Sequence, residues 1–307
     1  MAEPVKPRSI LVTGGAGFVG SSIVRALAAA GNRVAVLDDL STGDSANLPE
    51  EVPLVQADVS DAATASEVAR LAPEVVIHAA AQVSAAASLE DPARDRAVNV
   101  EGTAHVISGA AEARVRRFIF VSSGGAVYGE CSGATEQTLP RPSSYYGAHK
   151  YLAERYVELS GLPYAIARLA NVYGPGQRHD LEGGVVAIFL DRLQRGEPVT
   201  VNGDGHQSRD FVHVEDVVDA VQAMLDDRRD GTWNVGTGKA TTIRELLHSV
   251  EWATGRAASV DYASPRRGDV KSSCLSVESL QRDLGWRASY DLEVGLSRTV
   301  RAGGELG

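Results

Sequence analysis

With 307 residues, 44% hydrophobic and 23% charged, the chain can bury a sizeable core as one large or two interlocked domains. Its formal net charge of −10 argues against nucleic acid or an anionic membrane as the main partner, while leaving room for a local basic pocket. Cys131 and Cys274 are too few for a disulfide framework and form no metal-type cluster, so both are expected reduced. The N-terminal residues lack the apolar stretch of a secretory signal, and no apolar run reaches bilayer-spanning length; a cytoplasmic protein is expected.

Ser9-Ile-Leu-Val-Thr13 is a short apolar run that stops at glycines, as a buried parallel strand does. Residues 18–30 predict a helix ended by Gly31, and 33–37 the next strand. A strand near 54–57 ends at Asp58, a helix around 62–71 follows, and 74–78 is strand again. Helix is expected over 94–112 and from 145 to about 160, with strands at 117–121 and 164–168. This alternation predicts an α/β fold, a Rossmann-type doubly wound parallel sheet with ligands at its C-terminal strand ends. Beyond Asn171, shorter strands and more glycine predict a smaller C-terminal substrate-binding lobe. The expected division is 1–170 and 171–307, with an interleaved boundary.

Thr13-Gly-Gly-Ala-Gly-Phe-Val-Gly20 satisfies two glycine templates at once. Gly15, Gly17 and Gly20 fit Gly-x-Gly-x-x-Gly, while Gly14, Gly17 and Gly20 fit Gly-x-x-Gly-x-x-Gly. Either brings backbone N–H groups and a helix N-terminus, with Phe18 and Val19, against a pyrophosphate. The loop follows a strand, opens a helix and precedes an acidic residue about 20 positions on, Asp38, with Asp39 beside it. A carboxylate there accepts hydrogen bonds from ribose hydroxyls and repels a 2′-phosphate, so NAD is favoured over NADP. Asp58 and Val59 stand where a side chain and a backbone amide could hold adenine; a helix N-cap is the competing role for Asp58.

Tyr146 and Lys150 lie four residues apart in Tyr-Gly-Ala-His-Lys, which on a helix puts both on one face. A lysine ammonium there is expected to pull the phenol down from about 10 towards neutrality, giving a tyrosinate able to deprotonate a sugar hydroxyl. Tyr145 and His149 share the spacing, but His149 is no dependable cation at pH 7.

With these residues in place the chain resembles the extended short-chain dehydrogenase/reductase family. Within it, the likeness is to the NAD-dependent nucleotide-sugar epimerases and dehydratases, most of all those that invert C4 of UDP-glucose. The resemblance runs from about residue 10 to 286 and rests on the glycine loop, Leu-Asp-Asp-Leu (37–40), His-Ala-Ala-Ala-Gln (78–82) and Asn-Val-Glu-Gly-Thr (99–103). It continues through Ser-Ser-Gly-Gly-Ala-Val-Tyr-Gly (122–129), Tyr-Gly-Ala-His-Lys (146–150), Arg-Leu-Ala-Asn-Val-Tyr-Gly-Pro (168–175), Arg-Asp-Phe-Val-His-Val-Glu-Asp (209–216) and Arg-Gly-Asp-Val (267–270).

The resemblance implies that Tyr146 removes the proton of the sugar 4-hydroxyl while C4 is oxidised, and that a 4-keto sugar turns over and is reduced on its other face. Lys150 is implied on the nicotinamide ribose, and Ala79, Ala80, Ala81, Asn99 and Ser122 beside the cofactor. Asn99 is expected at a helix start, capping it or supporting the site, and His78 is expected to be structural. The family places Ser or Thr four residues before the tyrosine of Val-Tyr-Gly, where this chain has Gly124. Ser123 is expected to hold the sugar hydroxyl instead, with Ser122 or a backbone group as alternatives.

For the UDP half, Arg209 and Arg267 are expected on the pyrophosphate, because guanidinium forks match phosphate oxygens. The family pattern puts Asp269 near the uridine ribose, Asn171 on a phosphate or sugar oxygen, and residues 193–201 beneath uracil. Ser273 holds a gatekeeper position where a small residue leaves room for an N-acetyl group. UDP-glucuronate is an alternative substrate, with Arg178, His179 or Lys271 as carboxylate partners. A 4,6-dehydratase would need an Asp-Glu pair where Gly124, Gly125 and Ala126 stand. A reductase or decarboxylating relative stays open, and a non-catalytic NAD sensor would have no need of Tyr146 and Lys150. A homodimer through helices 94–112 and 145–160 is expected, with no nucleic-acid or membrane partner.

Overall fold

The computed structural model describes residues 7–180, 184–265 and 270–304. Strand β1 (Ser9–Thr13) sends Ile10 and Val12 into one apolar layer and Leu11 into another, as in a strand covered on both faces. It is followed by α1 (Phe18–Ala29), β2 (Arg33–Asp38), β3 (Leu54–Gln56), α2 (Thr64–Leu71) and β4 (Val75–His78). Next come α3 (Ala85–Glu90), α4 (Pro92–Arg96) and α5 (Gly102–Glu112), with a π-turn at Ala97–Glu101 joining α4 to α5. Then β5 (Arg117–Ser123), the single turn α6 (Gly124–Tyr128), β6 (Cys131–Ala134), α7 (Tyr145–Leu159), β7 (Tyr164–Leu169) and β8 (Asn171–Tyr173) follow.

The C-terminal part supplies α8 (Val185–Arg195), β9 (Val199–Asn202), β10 (Ser208–His213), α9 (Val214–Asp226), β11 (Gly231–Val235), β12 (Ala240–Thr242) and α10 (Ile243–Thr254). It closes with β13 (Val260–Ala263), β14 (Ser272–Leu275), α11 (Glu278–Leu284) and α12 (Leu292–Gly304).

Seven strands form one parallel sheet in the order β11-β7-β5-β4-β1-β2-β3. One face is covered by α1 and α9, through residues such as Leu27 and Val221, and the other by α2, α5 and α7, through Val68, Val106 and Val157. Each such side chain contributes about 1.5–3 kcal/mol by leaving water. The strand order reverses between β1 and β4, which opens a crevice at their C-terminal ends.

The expected boundary near residue 170 is crossed in both directions. β11 and α9 lie after it yet complete the first sheet and its covering layer, while β6 lies before it and joins the second sheet, β12-β10-β14-β6. The reason is burial: Trp233 and Val235 enter the core only when β11 pairs with β7. The expected single helix over 94–112 is likewise interrupted, by the π-turn.

Candidate active site

A cleft of about 1520 Å³ opens at the C-terminal ends of the parallel strands. Its floor begins at the glycine loop, whose glycines serve different contacts. Gly14 has φ +67, and a Cβ there would lie 2.5 Å from the Ala80 nitrogen. A Cβ on Gly20 would strike the Gly14 carbonyl, and one on Gly15 would come within 2.7 Å of Val36. Both glycine templates are therefore real constraints, the second for turn geometry and the first for packing.

Gly17 caps α1 without any side-chain acceptor, and the first turn carries no acidic residue. Orphan N–H groups and the positive end of the helix dipole thus face a cleft lined by Gly17, Phe18, Val19 and Gly20. That donor set, with the small Ala79–Ala81 walls, fits a dinucleotide pyrophosphate.

Asp38 is buried at the end of β2, where Oδ2 accepts from the Ala16 amide at 2.9 Å and Oδ1 from the Leu40 amide at 2.9 Å. These bonds fix the carboxylate at the cleft wall and leave lone pairs for a ribose. Asp58 is no N-cap, since α2 starts at Thr64 behind Ala63. Its Oδ1 instead closes a turn onto the Ser60 amide and hydroxyl, and Oδ2 meets Arg94 at 3.0 Å. These contacts hold its carboxyl below the usual range despite partial burial. Arg94 also stands 4.0 Å from Asp39 and lines the same end of the cleft beside Val59.

Tyr146 and Lys150 share one face of α7 and both line the cleft. The expected tyrosinate is not what the geometry gives. Lys150 is buried, donates to the Val121 carbonyl at 2.7 Å and lies 4.1 Å from the Phe120 ring centroid. Burial pushes the Tyr146 phenol up to about 12, a hydrogen bond with Ser123 pulls against it, and Asp95 adds to the rise. Burial also brings Lys150 down to about 7, against the pull of Glu154 and Asp95. Burial is the largest cause at both groups, and neither appears among the causes acting on the other.

The two candidate serines separate cleanly. Ser123, at the end of β5, hydrogen-bonds the phenol and caps α6 by accepting from the Ala126 amide. Ser122 reaches the cleft wall, but its hydroxyl donates to Glu154 at 2.5 Å. Gly124 is a glycine for a steric reason: a Cβ there would lie 2.7 Å from a Leu275 methyl.

Behind these groups runs a buried polar assembly that sequence reasoning did not single out. Glu154 is held by Arg168 through Nη2 at 2.6 Å and Nε at 3.0 Å, and Arg168 also donates to the Tyr128 hydroxyl at 2.7 Å. The continued spacing Tyr146, Lys150, Glu154 was the available signal. His78 bridges Thr13 at 2.6 Å and Thr103 at 3.0 Å, and burial lowers it to about 3, so it is a neutral structural histidine. Asn99 is not at a helix start. It sits in the π-turn, donates to the Gln82 carbonyl and to Asp95, and leaves its buried Oδ1 without a protein partner. Its support of the site runs through Asp95 and Gln82.

On the other wall, Asn171, Arg209 and Ser273 come together from β8, β10 and β14. Arg209 pairs in register with Ser273 and donates to the Ser208 carbonyl. In the surrounding motif Asp210 anchors Thr237 and Gly238, and His213 caps α9, so of these only Arg209 faces the cleft. Arg267 and Asp269 lie outside the described residues. The expected platform is met in part: Leu193 and Val199 lie in the core of the C-terminal lobe, Thr200 and Val201 of the same span reach the cleft, and Ile188 and Phe189 join them from α8. Of the three carboxylate candidates only Arg178 lines the cleft, and it is paired with Asp180 at 2.5 Å.

The model of the NAD dependent epimerase/dehydratase family matches residues 10–236. The chain belongs to the NAD dependent epimerase/dehydratase family. Among members of this epimerase/dehydratase family, UDP-glucose 4-epimerase of Mycolicibacterium smegmatis is 40% identical over 302 residues, covering 94% of this chain and 96% of that protein. The crystal structure of UDP-glucose 4-epimerase of Thermotoga maritima with UDP-glucose superposes with a TM-score of 0.93 at 40% identity, over 97% of this chain and 99% of that one. The Thermus thermophilus UDP-glucose 4-epimerase complex with NAD gives 0.91 at 40% identity, over 95% and 98%. The seven-stranded parallel sheet with helices on both faces is the fold expected of this family.

Proposed function

We propose that the chain is an NAD-dependent UDP-glucose 4-epimerase, an isomerase working through a transient 4-keto sugar. The observation that carries this reading is the hydrogen-bonded Ser123–Tyr146 pair with Lys150 behind it, between a dinucleotide loop and the Arg209 wall. When bound, NAD supplies the acceptor, and then the donor, of the hydrogen at C4. Gly14, Gly17 and the α1 N-terminus hold the cofactor pyrophosphate, Asp38 the ribose, and Asp58 with Val59 the adenine. Tyr146 takes the proton of the 4-hydroxyl and returns it to the same oxygen after the keto sugar has turned. Burial raises the phenol and the hydrogen bond with Ser123 works against that rise, so Ser123 favours the ionised form that removes the proton. Ser123 donates to the reacting oxygen, and Lys150 would hold the ribose at the nicotinamide end.

On the substrate side, Asn171 and Arg209, with Arg267 and Asp269, hold the UDP. Ser273 is buried across from Gly125, where a Cβ would lie 3.1 Å from its hydroxyl oxygen, and neither residue fills the cleft. This supports acceptance of N-acetylated hexoses. Glycine and alanine on α6 supply no carboxylate for a dehydratase.

The enzyme is further proposed to be a homodimer. Tyr145, Leu152, Tyr156 and Leu159 form an exposed apolar stripe along α7, spaced to pack against a second copy. Light scattering showing only monomer at micromolar concentration would refute this. Two free cysteines suit the reducing cytoplasm, and among the described residues no helix is long and apolar enough to cross a membrane.

Anomeric proton NMR on purified protein incubated with UDP-glucose tests the activity. UDP-galactose should appear until equilibrium; no interconversion of any UDP-hexose by NAD-loaded protein overturns the reading.

A further inference from the structure

Asp58, just beyond β3, is held by its backbone and by both carboxylate oxygens. Its carbonyl accepts from the Asp61 amide at 3.0 Å and from the Thr64 hydroxyl at 2.8 Å. Oδ1 accepts from the Ser60 amide at 2.8 Å and the Ser60 hydroxyl at 2.7 Å, and Oδ2 accepts from Arg94 Nη2 at 3.0 Å. The other terminal nitrogen of the guanidinium, Nη1, donates to the Ser60 hydroxyl oxygen at 3.1 Å. A ring of hydrogen bonds thus closes through Arg94, Ser60 and Asp58, joining positions 36 residues apart. Arg94 is itself placed by α4, where its amide donates to the capping Asp91 carboxylate behind Pro92.

The ring has a consequence for the cleft that Asp58 and Arg94 line. An ionised carboxylate offers about four lone-pair sites. Ser60 uses both on Oδ1 and Arg94 one on Oδ2, so one acceptor site remains, on the oxygen whose direction Arg94 sets. Burial alone would raise this carboxyl, but the Ser60 and Arg94 bonds bring it below its ordinary value, so at neutral pH it only accepts. An exocyclic amino group, as on adenine, satisfies such a site; a 6-oxo group, as on hypoxanthine, is repelled by it. The aspartate χ2 torsion is broad, so without Arg94 the Ser60 bonds would leave Oδ2 free to turn off the base. Nη2 also lies 4.0 Å from Asp39, so the same charge offsets both carboxylates. As an ion pair with 46% of its side chain exposed, Arg94 contributes little to stability, and its removal should leave the fold intact.

We propose that Arg94 is a positioning residue for adenine recognition. It locks the Asp58 carboxylate so that the remaining acceptor site meets the 6-amino group, and so sets the preference for an adenine over a 6-oxopurine dinucleotide. This rests on the reading of Asp58 at the adenine end of an NAD site, and not on which sugar is turned over.

The purified full-length protein, incubated with excess isotope-labelled NAD and rapidly desalted, gives the cofactor exchange rate by mass spectrometry. Arg94→Ala should exchange about tenfold faster than the parent. Its preference for NAD over nicotinamide hypoxanthine dinucleotide, read by competition, should shrink by a similar factor. Arg94→Lys should recover only part of either, because an ammonium cannot meet a carboxylate and a hydroxyl as a planar fork. In an Asp58→Ala background, Arg94→Ala should change both quantities by less than about twofold, since its effect runs through Asp58. Asp58→Asn replaces that background should Asp58→Ala fail to fold. Melting temperature, and UDP affinity at the opposite wall, should match the parent in Arg94→Ala. Unchanged exchange and preference in Arg94→Ala overturn the proposal. So does an equal loss for both dinucleotides, or a loss undiminished in the Asp58 background, since Arg94 would then act on the ligand directly or on the fold. A parent that takes up no NAD would instead overturn the functional reading and this inference with it.

Discussion

Lys150 follows Tyr146 by one helical turn, yet its ammonium donates to the Val121 carbonyl at 2.7 Å and stays within 4.1 Å of the Phe120 ring centroid. Its contacts are thus with β5 rather than with the phenol. That burial is a stability burden at neutral pH. Folded Lys150 titrates at about 7, against 10.5 for an ordinary lysine, so between those values the unfolded chain holds a proton that the folded chain has released. Its contribution to stability consequently rises with pH across that window. Lys150→Met should lower kcat by about 10²-fold while raising the melting temperature at pH 6, with the stability gain shrinking towards pH 10. Equal melting differences at both pH values would contradict this.

Ser122 and Ser123 are adjacent but face different partners, so their alanine variants should fail in different assays. Ser123→Ala removes the bond to the Tyr146 phenol and should reduce kcat by about tenfold or more, with a loss of about 1 kcal/mol of stability from the missing α6 cap. Ser122→Ala removes a donor from buried Glu154 and should destabilise the fold by about 1–3 kcal/mol, with kcat of the folded protein largely kept. Urea unfolding and initial rates by NMR, measured on both variants, decide the matter. An activity loss at Ser122 matching that at Ser123 would defeat the assignment.

The parts legible in the sequence were those with a short-range physical signature. The glycine loop, Asp38 and the Tyr146–Lys150 spacing announce themselves because turn sterics and helical periodicity act over a few residues. The pairing of β11 with β7 did not, since parallel pairing across such a separation leaves no local mark. Nor did the phenol's raised pKa: spacing reveals the nearby lysine but not the desolvation that dominates both groups. Asp95 and Asn99 are four residues apart, a hint of a shared face, but only the π-turn and the approach of α7 give that face a partner.

Gly124 occupies the position where the family carries a hydroxyl, and Leu275 explains why it must remain small. The Leu275 side chain is buried, so it has little room to retreat from a new Cβ 2.7 Å from its methyl. Gly124→Ser should cost about 1–3 kcal/mol by overpacking. It should also fail to restore activity to Ser123→Ala, because the site already uses the preceding residue. Thermal melting and NMR rates of the double variant check both points. Recovery of activity would show that the usual hydroxyl position remains open to the sugar.

His78 ties the β4 end to Thr13 and Thr103 as a neutral ring, and this makes acid the condition under which the fold should weaken. Burial holds its folded value at about 3, against 6.5 for an ordinary imidazole. Below 6.5 the unfolded chain gains a proton that the folded chain refuses, so the contribution is whole above 6.5 and is lost as the pH falls towards about 3. The slope from this one group is about 1.4 kcal/mol per pH unit. His78→Asn should be less stable than the parent at pH 7, having lost a hydrogen bond to one of the threonines. Between pH 6 and 4, however, its stability should fall less steeply, so that the two curves converge. Urea unfolding across that range gives both slopes, and parallel curves would mean that His78 is not the residue that makes the fold acid-sensitive.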